Sequence, residues 1–172
     1  AAQGRVDLSR ATTFNLDEFV GIPSTHPGSF RTFMNTHLFG RVNLAAERIH
    51  LLNGAALDTA EECDRYERAI ARAGGIDVQI LGVGTNGHIG FNEPAPALEA
   101  WTHRVTLEPD TRRDNAALFR GDPAGVAPVV IFPLSLRLAG EGVQPPGPIP
   151  SHFAVIVVPT TFWIVFALGS RC

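Results

Sequence analysis

The segment IDVQILGVGTNGHIGFNEP, residues 76–94, constrains the architecture of this chain more than any other stretch. Its first six residues, IDVQIL, are apolar enough to form a buried strand, and they feed directly into a glycine-rich loop. Glycines at 82, 84 and 87 let backbone amides approach a ligand closely. They also satisfy G-x-G-x-x-G, the pattern of a dinucleotide site, but such a loop must open a helix whose N-terminus receives the pyrophosphate. Pro94 and Pro96 arrive where that helix would be established, which argues against a nicotinamide or flavin site. The loop reads instead as one built to present side chains at the carboxyl end of a strand.

The rest of the chain fits this frame. Short apolar runs alternate with helical stretches, which predicts an α/β domain with a mainly parallel sheet. ATTFNL (11–16) reads as a strand running into Asp17 and Glu18. Phe30, Phe33, Met34, His37 and Leu38 recur at helical spacing, with Gly40 as the stop and both Met34 and His37 assigned to packing. IHLLNG (49–54) is a second short apolar run. Thr59 and Glu62 suggest a capping box for a helix that continues to Ala73, before Gly74 and Gly75, with its charged residues on a solvated face. Asp110 to Phe119 reads as another helix start, with Thr111 as its cap. Beyond Gly121 the texture changes, and QPPGPIP (144–150) suits no regular element. AVIVV (154–158) and FWIVFAL (162–168) are expected to be buried strands. The length suits one domain over 1–172.

Composition narrows the function. With 45% hydrophobic and 18% charged residues and a net charge of -3, the chain has no basic field for nucleic acid or an anionic membrane. A small molecule is the favoured partner. The apolar stretch from Phe153 to Leu168 is interrupted by Pro159-Thr160-Thr161 and is shorter than the roughly 20 residues needed to span a bilayer. Cys63 and Cys172 read as two unrelated thiols in a reducing cytoplasm. His26, His50, His103 and His152 lack metal-ligand spacing, and neither a G-x-S-x-G elbow nor a Walker loop is present.

Asn86, His88 and Glu93 crowd into eight residues of the loop. A histidine with a carboxylate in reach has its tautomer fixed and suits proton transfer near neutral pH. Asp17, at the end of another strand, would be a second and separate base. Two bases suit a reaction with two proton-transfer stages, such as opening a sugar ring and then enolising it. A His beside a Glu in a Gly/Pro loop also serves simply to cap a turn, and spacing alone leaves both readings open.

TTFNLDEFVGIPSTHPGSF, IHLLNG and LGVGTNGHIGFNEPA, in this order and with AEECDRYERAI between the last two, closely resemble isomerising glucosamine-6-phosphate deaminases. The resemblance extends over roughly residues 10–119, and GHIGFNEP is its most specific part. The related 6-phosphogluconolactonases typically continue the loop as GHTASLFP. The resemblance implies a Rossmann-like, mainly parallel sheet with flanking helices. It further implies a cytoplasmic hydrolase of amino-sugar metabolism, without cofactor or metal, of a kind that is often a homo-oligomer. The reaction would turn D-glucosamine 6-phosphate into D-fructose 6-phosphate and ammonia. Carried over by motif, Asp17 matches the base that moves a proton between sugar carbons 2 and 1. His88 matches the ring-opening residue, Glu93 the carboxylate that orients it, and Asn86 the third member of that group. Gly84, Thr85 and Gly87 are the implied substrate-binding positions.

Departures from the pattern carry expectations too. The family's first strand and its LPTGGTP-type phosphate loop precede the NLDEF motif, and neither is found ahead of it here. Its phosphate-gripping Arg falls on Ala117, with Arg113 and Arg120 displaced, and Cys172 stands where a phosphate-binding Lys would be. Pro133-Leu134-Ser135 replaces a later G-V-G segment, and 137–161 match nothing in the family. A phosphate dianion needs several charge-assisted hydrogen bonds. The resemblance therefore implies an incomplete deaminase domain with weak turnover by itself. Two other expectations compete with it: a catalytically silent sugar-phosphate-binding chain, and a lactonase-like hydrolase in which His88 activates water.

Overall fold

The computed structural model describes residues 7–96, 99 and 101–132, together with the backbone of 154–159 and 167–168. Eight strands and three α-helices fall within these residues. β1 (Thr13–Phe14) pairs in parallel with β3 (Ile49–His50). β2 (Glu18–Phe19), β6 (Val129–Phe132) and β5 (His103–Thr106) form an antiparallel sheet in the order β2-β6-β5. β4 (Val78–Val83) is the middle strand of a third sheet, parallel to β7 (Ala154–Pro159) and antiparallel to β8 (Ala167–Leu168), which also lies against β1. The α/β class read from the sequence holds, with parallel and antiparallel pairing side by side.

The strand expected over 11–16 is shorter than its apolar pattern, because the chain pairs for only two residues before turning into β2. That turn is anchored from below. The Tyr66 hydroxyl, fully buried, sits 2.6 Å from Asn15 O and 3.1 Å from His50 O and so pins the ends of β1 and β3 together. Phe14 stacks on His50 with ring centroids 4.4 Å apart. Phe14, Leu52, Tyr66, Ile70 and Ile131 form one apolar cluster; Phe19, Phe30, Leu81, Phe91, Phe119 and Phe132 belong to another, which underlies the glycine loop.

α1 (Phe30–His37) begins at Ser29, whose hydroxyl caps Arg31 N–H. Glu18 reinforces this cap from β2: it accepts from the Ser29 hydroxyl and from the amides of Phe19, Phe30 and Arg31. Met34 is buried as expected, but His37 is exposed, and Gly40 lies inside a 3-10 turn (Phe39–Arg41) instead of ending the helix.

α2 (Thr59–Arg72) starts one residue earlier than the sequence suggested. Asp58 is the N-cap, accepting from the amides of Ala60 and Glu61, and the Thr59–Glu62 capping box does not form. Glu62 is buried instead, where it accepts from Asn53 N–H and pairs with Arg65. The charged face is thus not wholly solvated. The C-terminus follows expectation: Gly74 and Gly75 take positive φ, and their amides bond back to Ala71 and Ile70 carbonyls. Removing the observed cap with Asp58→Ala is expected to cost about 1 kcal/mol, a fall in Tm of roughly 2–4 °C by thermal melting. Thr59→Ala, by contrast, should leave Tm unchanged.

α3 (Pro109–Asp114) is capped at Glu108 with Pro109 opening the first turn, so Thr111 is not the cap but a buried residue inside the helix. The chain then tightens into a 3-10 turn (Ala116–Phe119). Cys63 is a buried free thiol. Among the described residues no helix is long and apolar enough to cross a membrane. AVIVV lies within β7, and of FWIVFAL only 167–168 are described. Residues 133–135, 144–150 and Cys172 lie outside the described residues, and with them the expectations placed there.

Candidate active site

The loop after β4 does not open a helix. It folds back on its own strand, with Val83 bridged to Ile89 and Ile89 to Asn92 in antiparallel fashion. Gly84 N–H donates to His88 O at 2.9 Å, Gly87 N–H to Gly84 O at 3.0 Å, and Gly90 N–H to Gly82 O at 2.9 Å. Gly87 and Gly90 take φ of 90° and 60°, which favours glycine. Gly84 is required for another reason: a Cβ there would lie 2.0 Å from the His88 ring. The imidazole is packed directly against the glycine backbone and is only 2% exposed, and the near-parallel ring of Phe91 lies 6.5 Å away between centroids.

This fold-back brings Asn86, His88 and Glu93 together. Asn86 Oδ1 accepts the His88 backbone N–H at 3.0 Å, and Asn86 Nδ2 donates to Glu93 Oε2 at 3.0 Å. An amide N–H only donates and a carboxylate only accepts, so the orientation of the Asn86 side chain is forced. Its Oδ1 lies 2.6 Å from His88 Nδ1, which must therefore carry the hydrogen. In the neutral ring the lone pair then resides on Nε2. Glu93 stands behind this arrangement, 3.9 Å from His88 Nδ1, its other oxygen accepting Glu108 N–H at 3.0 Å. Burial pulls the His88 pKa below its ordinary value, opposed by the charges of Glu93 and Asp114, which favours the neutral ring.

Asp17 lies between β1 and β2 and is only 6% exposed. Burial raises its pKa well above the usual carboxylate range, and the adjacent charge of Glu18 adds to the effect. Hydrogen bonds link the loop triad internally and to α3.

The contacts from α3 had no counterpart in the sequence reading. Thr111 Oγ1 lies 3.2 Å from His88 Nδ1, and Thr85 Oγ1 donates to Asp114 Oδ2 at 3.0 Å. Glu108, Thr111 and Asp114 are spaced by three residues, and that helical spacing was the one signal available for a shared face. Thr85, Asn86 and Gly87 form the exposed crest of the loop. Ala117 and Arg120 are exposed, and Arg113 is paired with Asp110 at the surface. Among the described residues no cluster of His, Cys, Asp or Glu is arranged to hold a metal ion.

Comparison with known proteins agrees with these features. The family model for glucosamine-6-phosphate isomerases/6-phosphogluconolactonase matches residues 1–107. A glucosamine-6-phosphate deaminase of Alkaliphilus oremlandii is 50% identical over 118 residues, 69% of this chain and 49% of the relative. Glucosamine-6-phosphate deaminase 2 of Bacillus subtilis is 47% identical over 128 residues, covering 74% of this chain and 51% of its own length. The chain thus spans about half the length of the curated relatives it matches. A solved structure of a monomeric glucosamine-6-phosphate deaminase superimposes with a TM-score of 0.72 at 36% identity, covering 77% of this chain and 55% of that one. Two expectations change as a result. The relatives are named as deaminases, an isomerising, lyase-type activity, so the hydrolase class drawn from the resemblance is withdrawn. Homo-oligomers are not general among these proteins either, since the superimposed structure is described as monomeric. From the loop geometry to the matched residues, the chain belongs to the glucosamine-6-phosphate isomerase/6-phosphogluconolactonase family.

Proposed function

We propose that this chain carries the proton-transfer groups of an isomerising deamination, converting D-glucosamine 6-phosphate to D-fructose 6-phosphate and ammonia. The observation that carries the reading is the forced orientation of Asn86, which leaves the His88 Nε2 lone pair as the base of the loop. In this reading Nε2 takes the proton from the anomeric hydroxyl and returns it to the ring oxygen, opening the pyranose. Glu93 stabilises the transient imidazolium through Asn86 and through its own charge. Asp17 then moves a proton from carbon 2 to carbon 1, which leaves an imine at carbon 2, and water hydrolyses that imine to the ketone with release of ammonia. A carboxylate whose pKa is raised by burial is a stronger base when ionised, which suits abstraction from carbon. Thr85 would offer its backbone amide to the sugar phosphate, its hydroxyl being engaged by Asp114, while Gly84 and Gly87, whose amides bond within the loop, would let the substrate approach the backbone closely.

His88→Ala is expected to reduce ammonia release from D-glucosamine 6-phosphate by about 10²–10⁴-fold. An unchanged rate in that variant would remove His88 from the mechanism. One observation favours a second reading, in which the chain binds a sugar phosphate without turning it over. Ala117 stands exposed where the resemblance expects an arginine, and Arg113 is tied to Asp110. Heat released on titration with the sugar phosphate, without ammonia production, would select that alternative.

A further inference from the structure

α3 meets the catalytic loop along one edge, through three residues spaced by three. Glu108 N–H donates to Glu93, the Thr111 hydroxyl faces His88, and Asp114 accepts from Thr85. The middle contact is the informative one. Thr111 is fully buried, and its Oγ1 lies 3.2 Å from His88 Nδ1 and 3.5 Å from Asn86 Nδ2. A valine has almost the same shape, and burying a hydroxyl is unfavourable unless it is hydrogen-bonded. The described partners of this hydroxyl are the imidazole and the amide that orients it, so its place in the core is explained by the ring and not by packing.

We propose that Thr111 is a positioning residue for His88: its hydroxyl oxygen is a second acceptor for the Nδ1–H, and together with Asn86 Oδ1 it holds the ring in the tautomer that presents the Nε2 lone pair. The inference rests on the ring-opening role assigned to His88 above. It also ties the loop to α3, because the same hydroxyl receives the second Asn86 amide hydrogen. An acceptor on Nδ1–H stabilises the imidazolium more than the neutral ring. Losing it therefore disfavours the charged form that follows proton uptake.

The test is a ring-nitrogen NMR spectrum of the whole chain, with the His88 signals assigned by their loss in His88→Ala. It is recorded for the wild type, Thr111→Val and Thr111→Ser. The wild type should show the Nδ1–H tautomer. Thr111→Val should show a fraction of the Nε2–H form and a titration midpoint moved to lower pH, and Thr111→Ser should return both toward wild type. Where ammonia release is measurable, kcat should fall roughly threefold to tenfold in Thr111→Val with KM changed far less. The acid limb of its rate–pH profile should move down with the midpoint. A wild-type ring in the Nε2–H form overturns the proposal, as does a Thr111→Val spectrum identical to wild type. If Val prevents folding, Thr111→Ala, which adds no bulk, is read by the same criteria. The spectra need no substrate, so a wild type that releases no ammonia defeats the proposed function while leaving Thr111 to be decided by the tautomer alone.

Discussion

Asp17→Asn is expected to lower ammonia release by about 10²–10⁴-fold and, at neutral pH, to raise the melting temperature of the same chain. Both effects have one cause. Asp17 is buried beside Glu18, and its pKa is raised well above the usual carboxylate range, first by desolvation and then by that neighbouring charge. A carboxyl raised in the folded state supports folding fully only below its unfolded pKa of about 3.9, and the support is lost as pH rises through the folded value. At neutral pH the ionised form therefore opposes folding. Asparagine keeps the shape and removes the charge, relieving that opposition while abolishing the proposed base. The stabilisation should shrink as the pH of the melt is lowered toward 4. For a chain of this size each kcal/mol recovered is worth roughly 2–4 °C. Turnover within tenfold of wild type would strip Asp17 of its role as a base. A Tm lower than wild type at pH 7 would show instead that the carboxylate is held favourably.

Gly84→Ala is expected to be strongly damaging to both stability and turnover. The added Cβ would fall 2.0 Å from His88 Cε1 and 2.3 Å from Nε2, closer than any real contact, and the ring is only 2% exposed. Either the imidazole leaves its place or the loop lifts off β4. Overpacking of this kind costs about 1–3 kcal/mol, so Tm should drop by roughly 2–12 °C. Displacing a proton-transfer group by about 1 Å should also cost on the order of 10² in turnover. A double-mutant cycle separates this clash from a general intolerance of alanine. In the His88→Ala background the space is vacated, and the penalty of Gly84→Ala should largely disappear. Gly87→Ala provides the contrast: a Cβ there meets nothing, but φ of 90° disfavours it, so its penalty should persist in both backgrounds. Equal costs of Gly84→Ala with and without the ring would mean that the close approach is not what matters at this position.

The parts of the site that were legible in the sequence are those that are contiguous in it. Asn86, His88 and Glu93 fall within eight residues, and Pro94 and Pro96 already spoke against a nucleotide-binding helix before any fold was known. The structure adds that the glycines there fold the loop back through the Val83–Ile89 and Ile89–Asn92 bridges. Helix existence was equally readable, but caps were not. Asp58 and Thr59 are both good N-cap residues, and one residue of backbone geometry decides between them. Thr111 illustrates the same limit, since a threonine near a helix start suits a cap by type, yet here Glu108 occupies that position.

The sequence by itself determined which groups stand at the candidate site: a histidine, an amide and two carboxylates, set in a loop and at a strand end by local patterns of glycine, proline and apolar residues. Tertiary structure alone decided how those groups are tuned. Glu18 meets Ile131 and Phe19 meets Val130 across β2 and β6, a pairing that closes more than a hundred residues of chain and that no local periodicity announces. Asp17, just before β2, is buried next to a helix-capping Glu18, and that burial is what raises its pKa. Thr111 reaches His88 across 23 residues because α3 docks on the loop. Side-chain identity is written residue by residue, whereas desolvation and hydrogen-bond geometry depend on which distant segments pack together, and only the folded chain sets those.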